Sequence, residues 1–440
     1  MTRGPRGRWL VGNLPAFRRD QLGFYTSCAR DFGDVVPVRF GPRPALVVSH
    51  PATIDEVLVT KARDFVKSPA LLLLRPILGD GLLLSEADVW LRQRRLVQPG
   101  FHRQRVASYA DAMVSLTARH IEPWKDGETR ELHAEMMALT QHIVTKTLFD
   151  ADVSDEAHVV GDALNALMTD FSKRLGSVWQ PPAWLPIPRV RRSRRAVQHL
   201  DAIVYRMIAD RRASGEDRGD LLSMVLATQD ADDGTRMTDR QVRDEIMTLF
   251  LAGHETTAVA LSWTFYLLAR HPGAEARLAD ELRSVLDGRA PAFADLPKLR
   301  YTEMVVTESM RLYPPAYALG RQAIRPTELA GERVEPRTIV IVPTWVVQRD
   351  ARWFDEPDAF RPERWAGGLA KRLPRFAYFP FGGGPRQCIG NAFAMMEAIL
   401  VLATIAQRFR LSLVPGQRVT PTPYVTLRPE PGIRMRLTRR

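Results

Sequence analysis

Cysteine is nearly absent from this sequence: two residues, Cys28 and Cys388, in a chain of 440. That scarcity excludes a disulfide framework and a cysteine-rich zinc or iron–sulfur protein. Lysine is scarce as well, with seven against 55 arginines among the 62 basic residues. Against 50 acidic residues these leave a net charge of +12. Such a balance fits a nucleic acid, an anionic membrane or an acidic protein partner, and does not choose among them. Long uninterrupted apolar runs are missing. At the N-terminus only Trp9, Leu10 and Val11 stand together before Gly12-Asn13, too few for a signal peptide or an anchor helix. The most hydrophobic window, Ile246 to Ala269, carries His254, Glu255, Thr256 and Thr257 in its middle. Ionisable groups at that depth are costly in lipid, so the window reads as a helix buried in a protein core. A cytoplasmic protein with no transmembrane anchor is expected. Repeats, Gly/Ser linkers and like-charge runs are also missing. The length prior of about three domains therefore gives way to one domain over residues 1–440.

What is present is ordinary globular composition, 45% apolar and 25% charged, in a chain long enough for a large core. Val35 to Phe40 and Ala45 to Val48 are β-rich runs separated by Gly41-Pro42-Arg43-Pro44, a hairpin signal. Pro51 to Thr60 reads as a helix opening with proline. Helical periodicity dominates from Ala87 to Leu286, except at the proline-rich Trp179 to Pro188. Asp295 to Leu312 is helical and stops at Pro314-Pro315. Val334 to Pro343 reads as β, Phe376 to Gly390 as a glycine-rich loop, Asn391 to Phe409 as helix, and the tail as β. There is no regular βαβ rhythm, so a doubly wound sheet is not expected.

The most specific stretch is Phe381-Gly-Gly-Gly-Pro-Arg-Gln-Cys-Ile-Gly390. Cys388 stands at the start of an apolar helix, where the dipole and free N–H groups favour a thiolate. Glycines let backbone N–H groups approach the sulfur, and such bonds tune a metal thiolate. The string has the form F-x-x-G-x-R-x-C-x-G and resembles the haem-thiolate loop of the cytochrome P-450 superfamily. The resemblance implies a mainly α fold with a small β lobe, the triangular haem-thiolate architecture. It implies haem b as cofactor, with Cys388 as the axial thiolate on iron, Phe381 packed near the sulfur and Arg386 on a haem propionate. Cys28 matches no motif of the family.

Three more motifs agree in chain order. Ala252-Gly-His-Glu-Thr-Thr257 looks like the family's oxygen groove: Gly253 making room above the iron, Thr256 with Glu255 supplying protons. His254 there reads as a packing residue, not a ligand. Glu308-Ser-Met-Arg311 looks like the family's E-x-x-R, with Arg364 of Phe360-Arg-Pro-Glu-Arg-Trp365 completing a buried structural triad. Trp365 departs from the usual Phe, and Val347-Gln-Arg-Asp350 from a common H-R-D, the latter with no expected chemical consequence. Trp90-Leu-Arg-Gln-Arg94 resembles the W-x-x-x-R that faces a propionate, and Arg321 has the spacing of a further propionate ligand. The match runs from Leu10-Val-Gly-Asn-Leu-Pro15 to the tail.

The implied activity is a monooxygenase that inserts one oxygen atom from dioxygen into a C–H bond. No flavin or iron–sulfur motif is present, so electrons come from a separate acidic donor, a ferredoxin or flavodoxin with its reductase. Arg92, Arg95, Arg103, Arg105 and Arg375 suit that partner. No nucleic acid partner and a monomer are expected. The segments expected to line the pocket are apolar: Ser68 to Leu84, Ala316 to Leu319, Leu249, Phe250, Ala252 and Tyr424 to Thr426. They favour a bulky hydrophobic small molecule, a terpenoid or polyketide. A fatty-acid hydroxylase is the alternative, with Arg75 as the carboxylate anchor. The Glu255/Thr256 pair argues against a peroxide-driven or non-oxygenating haem-thiolate enzyme.

Overall fold

The computed structural model describes residues 4–150, 187–230 and 234–440, together with Ala163, Leu167, Asp170 and Phe171. Helices named below are α1 (Gln21–Phe32), α2 (Ala87–Val97), α3 (Leu132–Phe149), α4 (Pro188–Ser214), α5 (Asp239–Arg270), α6 (Arg300–Leu312) and α7 (Asn391–Arg408). The long apolar window is α5. It starts at a capping box in which Thr238 Oγ1 accepts from the Gln241 N–H and the Gln241 side chain accepts from the Thr238 N–H. Its side chains are buried around nearly the whole circumference, because α3, α4, α6 and α7 all pack on it.

The β lobe has a five-stranded sheet of β1 (Val35–Phe40), β2 (Arg43–Val48), β3 (Phe65–Lys67), β4 (Leu319–Ala323) and β5 (Ile339–Val342), in the order β1-β2-β5-β4-β3. Only the β2–β5 pair is parallel. The tail forms β6 (Phe409–Leu413), β7 (Thr420–Pro423), β8 (Leu427–Glu430) and β9 (Arg434–Arg439). The result is mainly α with small β sheets.

Most sequence expectations hold, with three differences. Pro51 starts a helix that ends at Asp55 and passes into a wider π turn over Glu56–Thr60. The expected Asp295–Leu312 helix begins at Arg300, because Phe293–Asp295 is a separate 3-10 turn tied by the Arg289–Asp295 ion pair. Strands β3 and β4 carry no alternating pattern and were not expected. Of the proline-rich segment, Trp179 to Pro186 lies outside the described residues, while Pro188 is the first residue of α4. Cys28 is on the buried face of α1, and burial pushes its thiol up to about 12, which makes it inert.

Candidate active site

The glycine-rich loop places Cys388 on the wall of a cavity of about 860 Å³. The Cys388 N–H donates to the Phe381 carbonyl at 3.0 Å, which fixes the sulfur one short turn from the Phe381 ring. Gly384 has φ +67°, and a Cβ there would meet the Leu58 carbonyl oxygen at 1.9 Å, so only glycine fits. Burial pushes the Cys388 thiol up, while the Gly390 N–H and the Arg94 charge pull it down. A cation such as iron would favour the thiolate decisively in this setting.

Helix α5 forms another wall of the same cavity. Ala252 and Thr256, one turn apart, line it. Thr256 Oγ1 donates to the Ala252 carbonyl at 2.7 Å. Gly253 has a second role beyond the one expected. It lines the cavity beside Ala252, and a Cβ on it would strike Val144 Cγ2 at 2.9 Å, so its smallness also serves the close packing of α3 on α5. Glu255 is also tied elsewhere than its sequence neighbour Thr256 suggests. Its Oε1 accepts from Thr426 Oγ1 at 2.8 Å and from Arg428 Nε at 2.9 Å, so the buried carboxylate is held by the tail. Neither partner was visible in the motif. His254 is buried, stacked on Phe250 and bonded to the Phe250 carbonyl, a packing role as expected.

A cluster of cations borders the cavity. The β3–β4 register sets Lys67 directly opposite Arg321, and Arg94 and Arg386 line the same cavity. One carboxylate stands among them: Glu86 pairs with Arg386, and it accepts from the Lys67 backbone N–H at 2.6 Å. Burial pushes Lys67 well down, Arg321 and Arg94 down, and Arg386 down to about 10. Four half-buried cations against one acid leave unmet positive charge beside an apolar space. A flat apolar ligand carrying two carboxylates meets that need, and haem is such a ligand, so these residues fit it. Arg386 lies over the Trp90 ring at 4.1 Å, and Arg94 donates to the Gln387 carbonyl at 3.0 Å, so both predicted helix residues reach this edge. Lys67 was missed, because only the strand register brings it here.

The family model for cytochrome P-450 matches residues 2–436. The chain belongs to the cytochrome P-450 family. Members bind haem through a cysteine thiolate, and this cytochrome P-450 is a monooxygenase. It is 40% identical over 430 residues to cyclooctatin synthase of Streptomyces melanosporofaciens, covering 97% of this chain and 93% of that one. It is 38% identical over 409 residues to cyclooctat-9-en-7-ol 5-monooxygenase of the same organism, covering 92% and 88%. Identity to pentalenene oxygenase of Streptomyces avermitilis is 34% over 435 residues, covering 98% and 96%.

The structural triad of this cytochrome P-450 closes as expected. Arg311 forks onto Glu308 at 2.8 and 2.9 Å, and Arg364 Nε reaches Glu308 at 2.8 Å. Trp365 is no passive departure, since its indole N–H donates to Glu308 at 2.9 Å, a bond that Phe cannot make. Gln348 likewise uses its whole amide: it donates to the Met310 and Arg311 carbonyls and accepts from the Phe379 N–H, joining α6 to the cysteine loop. The apolar lining includes Leu71, Leu249 and Ala316 as expected, but Phe250 packs on His254 outside it. Arg75 does not line the cavity. It is exposed and paired with Asp80 at 2.8 Å, so it anchors no carboxylate there. Among the five arginines assigned to a redox partner, Arg92 pairs with Asp230 and Arg105 donates to the Gly219 carbonyl. Arg95, near Asp230, and Arg375, paired with Asp55, are nevertheless exposed, as is Arg103. Among the described residues no helix is long and apolar enough to cross a membrane.

Proposed function

We propose that this cytochrome P-450 hydroxylates a bulky, mostly hydrocarbon terpenoid, using haem b held by Cys388. The observation that carries the reading is that Cys388 and Thr256 line one largely apolar cavity, with a half-buried cationic cluster at its border. The relatives named for terpenoid oxidation favour this substrate class over a polyketide. The outward Arg75–Asp80 pair removes the reason for a fatty acid. With only two cysteines, one of them in the core, no thioether pair is available, which supports haem b.

When bound, the haem supplies dioxygen activation: substrate, dioxygen, two electrons and two protons give the alcohol and water. Cys388 is the iron ligand, and Arg94, Arg321 and Arg386, with Trp90 and the newly found Lys67, hold the two carboxylates. Phe381 shields the sulfur from water. Thr256 Oγ1 gives its own proton to the Ala252 carbonyl, so its lone pairs are left to accept a hydrogen bond on the cavity side. Glu255, a carboxylate fixed by Arg428 and Thr426, lines the same cavity and is the second proton-handling group. Electrons come from a separate acidic ferredoxin or flavodoxin, which Arg95, Arg103 and Arg375 suit.

The test is turnover of polycyclic terpenes by the holoenzyme with a ferredoxin and its reductase under isotopically labelled dioxygen. One labelled oxygen atom in a terpene alcohol is expected. Oxidation of fatty acids with terpenes left untouched would contradict the substrate reading.

A further inference from the structure

Away from the cysteine, the cavity is bordered by α1 and by the segment after Pro314-Pro315. Here three polar side chains meet in an otherwise apolar wall: Gln21, Tyr25 and Tyr317. Tyr25 is 3% exposed and Tyr317 6%, so their hydroxyls are not left to bulk water. The Tyr317 hydroxyl donates to the Tyr424 carbonyl at 2.9 Å. A carbonyl only accepts, so the one hydroxyl hydrogen of Tyr317 is spent there. The Tyr317 oxygen must then be the acceptor for Gln21 Nε2, 3.2 Å away. This fixes which end of the Gln21 amide is nitrogen. The same nitrogen donates to the Tyr25 oxygen at 3.3 Å.

Two groups are left over. The Tyr25 hydroxyl hydrogen has no acceptor among the described residues, and burial pushes that hydroxyl up, so it stays a donor. The Gln21 amide oxygen has no donor among the described residues. The donor belongs to a buried side chain and the acceptor to a half-buried one, and the pair on the cavity wall is matched by a ligand group that answers both. A hydroxyl group does so: it accepts from Tyr25 and donates to Gln21. A ketone answers only one, and a hydrocarbon neither.

We propose that Gln21 and Tyr25, oriented by Tyr317, form a hydroxyl-recognition subsite, so that the substrate is a terpene alcohol and not the parent hydrocarbon. This rests on the terpenoid reading above. Gln21 and Cys388 line the same cavity, so one ligand end is held at Gln21 while another carbon meets the oxidising centre. The substrate is then supplied by an earlier oxygenation or by a cyclase that quenches its carbocation with water, and the product is at least a diol. A site built to bond a hydroxyl rejects the analogue lacking it far more strongly than an apolar pocket discriminates by size.

The experiment is a spectral binding titration of the ferric holoenzyme with two matched pairs, cedrene with cedrol and kaurene with kauranol. In the unaltered protein the alcohol of a pair is expected to bind at least ~10-fold tighter than its hydrocarbon. In Gln21→Leu and in Tyr25→Phe that ratio is expected to fall to about one. The hydrocarbon titration in each variant reports that the cavity is still formed. Equal binding of alcohol and hydrocarbon in the unaltered protein, or a ratio that survives both substitutions, overturns the subsite and leaves the terpenoid reading standing. A protein that binds neither pair contradicts the terpenoid reading, and the subsite falls with it.

Discussion

Lys67 and Arg321 stand directly opposite each other across the β3–β4 pair, both withdrawn from solvent, with Glu86 as their common acidic neighbour. Like charges at opposed strand positions repel, and burial raises the cost. A fold keeps such a pair where a bound anion compensates it. Lys67→Met and Arg321→Met are therefore expected to release haem about 10-fold faster or more, since each removes a buried charge-assisted contact. Transfer of haem to apomyoglobin measures this. Unchanged release from both variants would show that these cations do not hold the propionates.

Thr256→Ala removes the hydroxyl that faces the cavity and is backed by the Ala252 carbonyl. Product formation is expected to fall by on the order of 10² relative to NADPH consumption, with peroxide or water taking the difference. Simultaneous assay of NADPH, peroxide and alcohol checks it. Undiminished coupling would remove Thr256 from the proton path.

The Glu308 cluster separates two costs. Arg364→Ala strips a buried carboxylate of a charged partner and is expected to destabilise by about 3–5 kcal/mol. Trp365→Phe removes only the indole hydrogen bond and is expected to cost about 1–3 kcal/mol. Denaturant unfolding of the holoenzyme ranks them. Equal losses would mean that Trp365 carries more than its bond to Glu308.

Much of this site is legible in the sequence because its chemistry is local. The cysteine loop, the Ala252–Thr257 segment and Glu308-x-x-Arg311 each set side chains by loop or helix spacing alone. What escaped depends on pairing between distant segments. Lys67 reaches the cationic border of the cavity only through the register of β3 on β4. Glu255 meets Arg428 only because the tail packs on α5. Gly253 sits in the expected motif, yet its contact with Val144 of α3 is one that helix periodicity does not reveal. Arg75 lies inside an apolar run, and periodicity could not say that its head turns outward to Asp80.

Glu397 on α7 is fully buried beside Thr257, and burial pushes its carboxyl from 4.5 up to about 8. The unfolded chain ionises this group first, so the folded state holds the extra proton and stability falls as pH rises from 4.5 toward 8. Glu245 on α5 is pushed up to about 8 in the same way. Glu397→Gln is expected to raise Tm at neutral pH by about 2 °C or more and to flatten its pH dependence by roughly half. A Tm profile that keeps its slope in the variant would assign the pH dependence to other groups.

Cys388 and the Ala252–Thr256 face line one cavity, where we propose that the cysteine supplies a thiolate to haem iron. The carbon monoxide difference spectrum of the reduced holoenzyme tests it most directly. The unaltered protein should show the strongly red-shifted Soret band of a thiolate-ligated haem, and Cys388→Ser should lose that shift while other surfaces of the fold persist. A red-shifted band retained in Cys388→Ser would contradict the assignment.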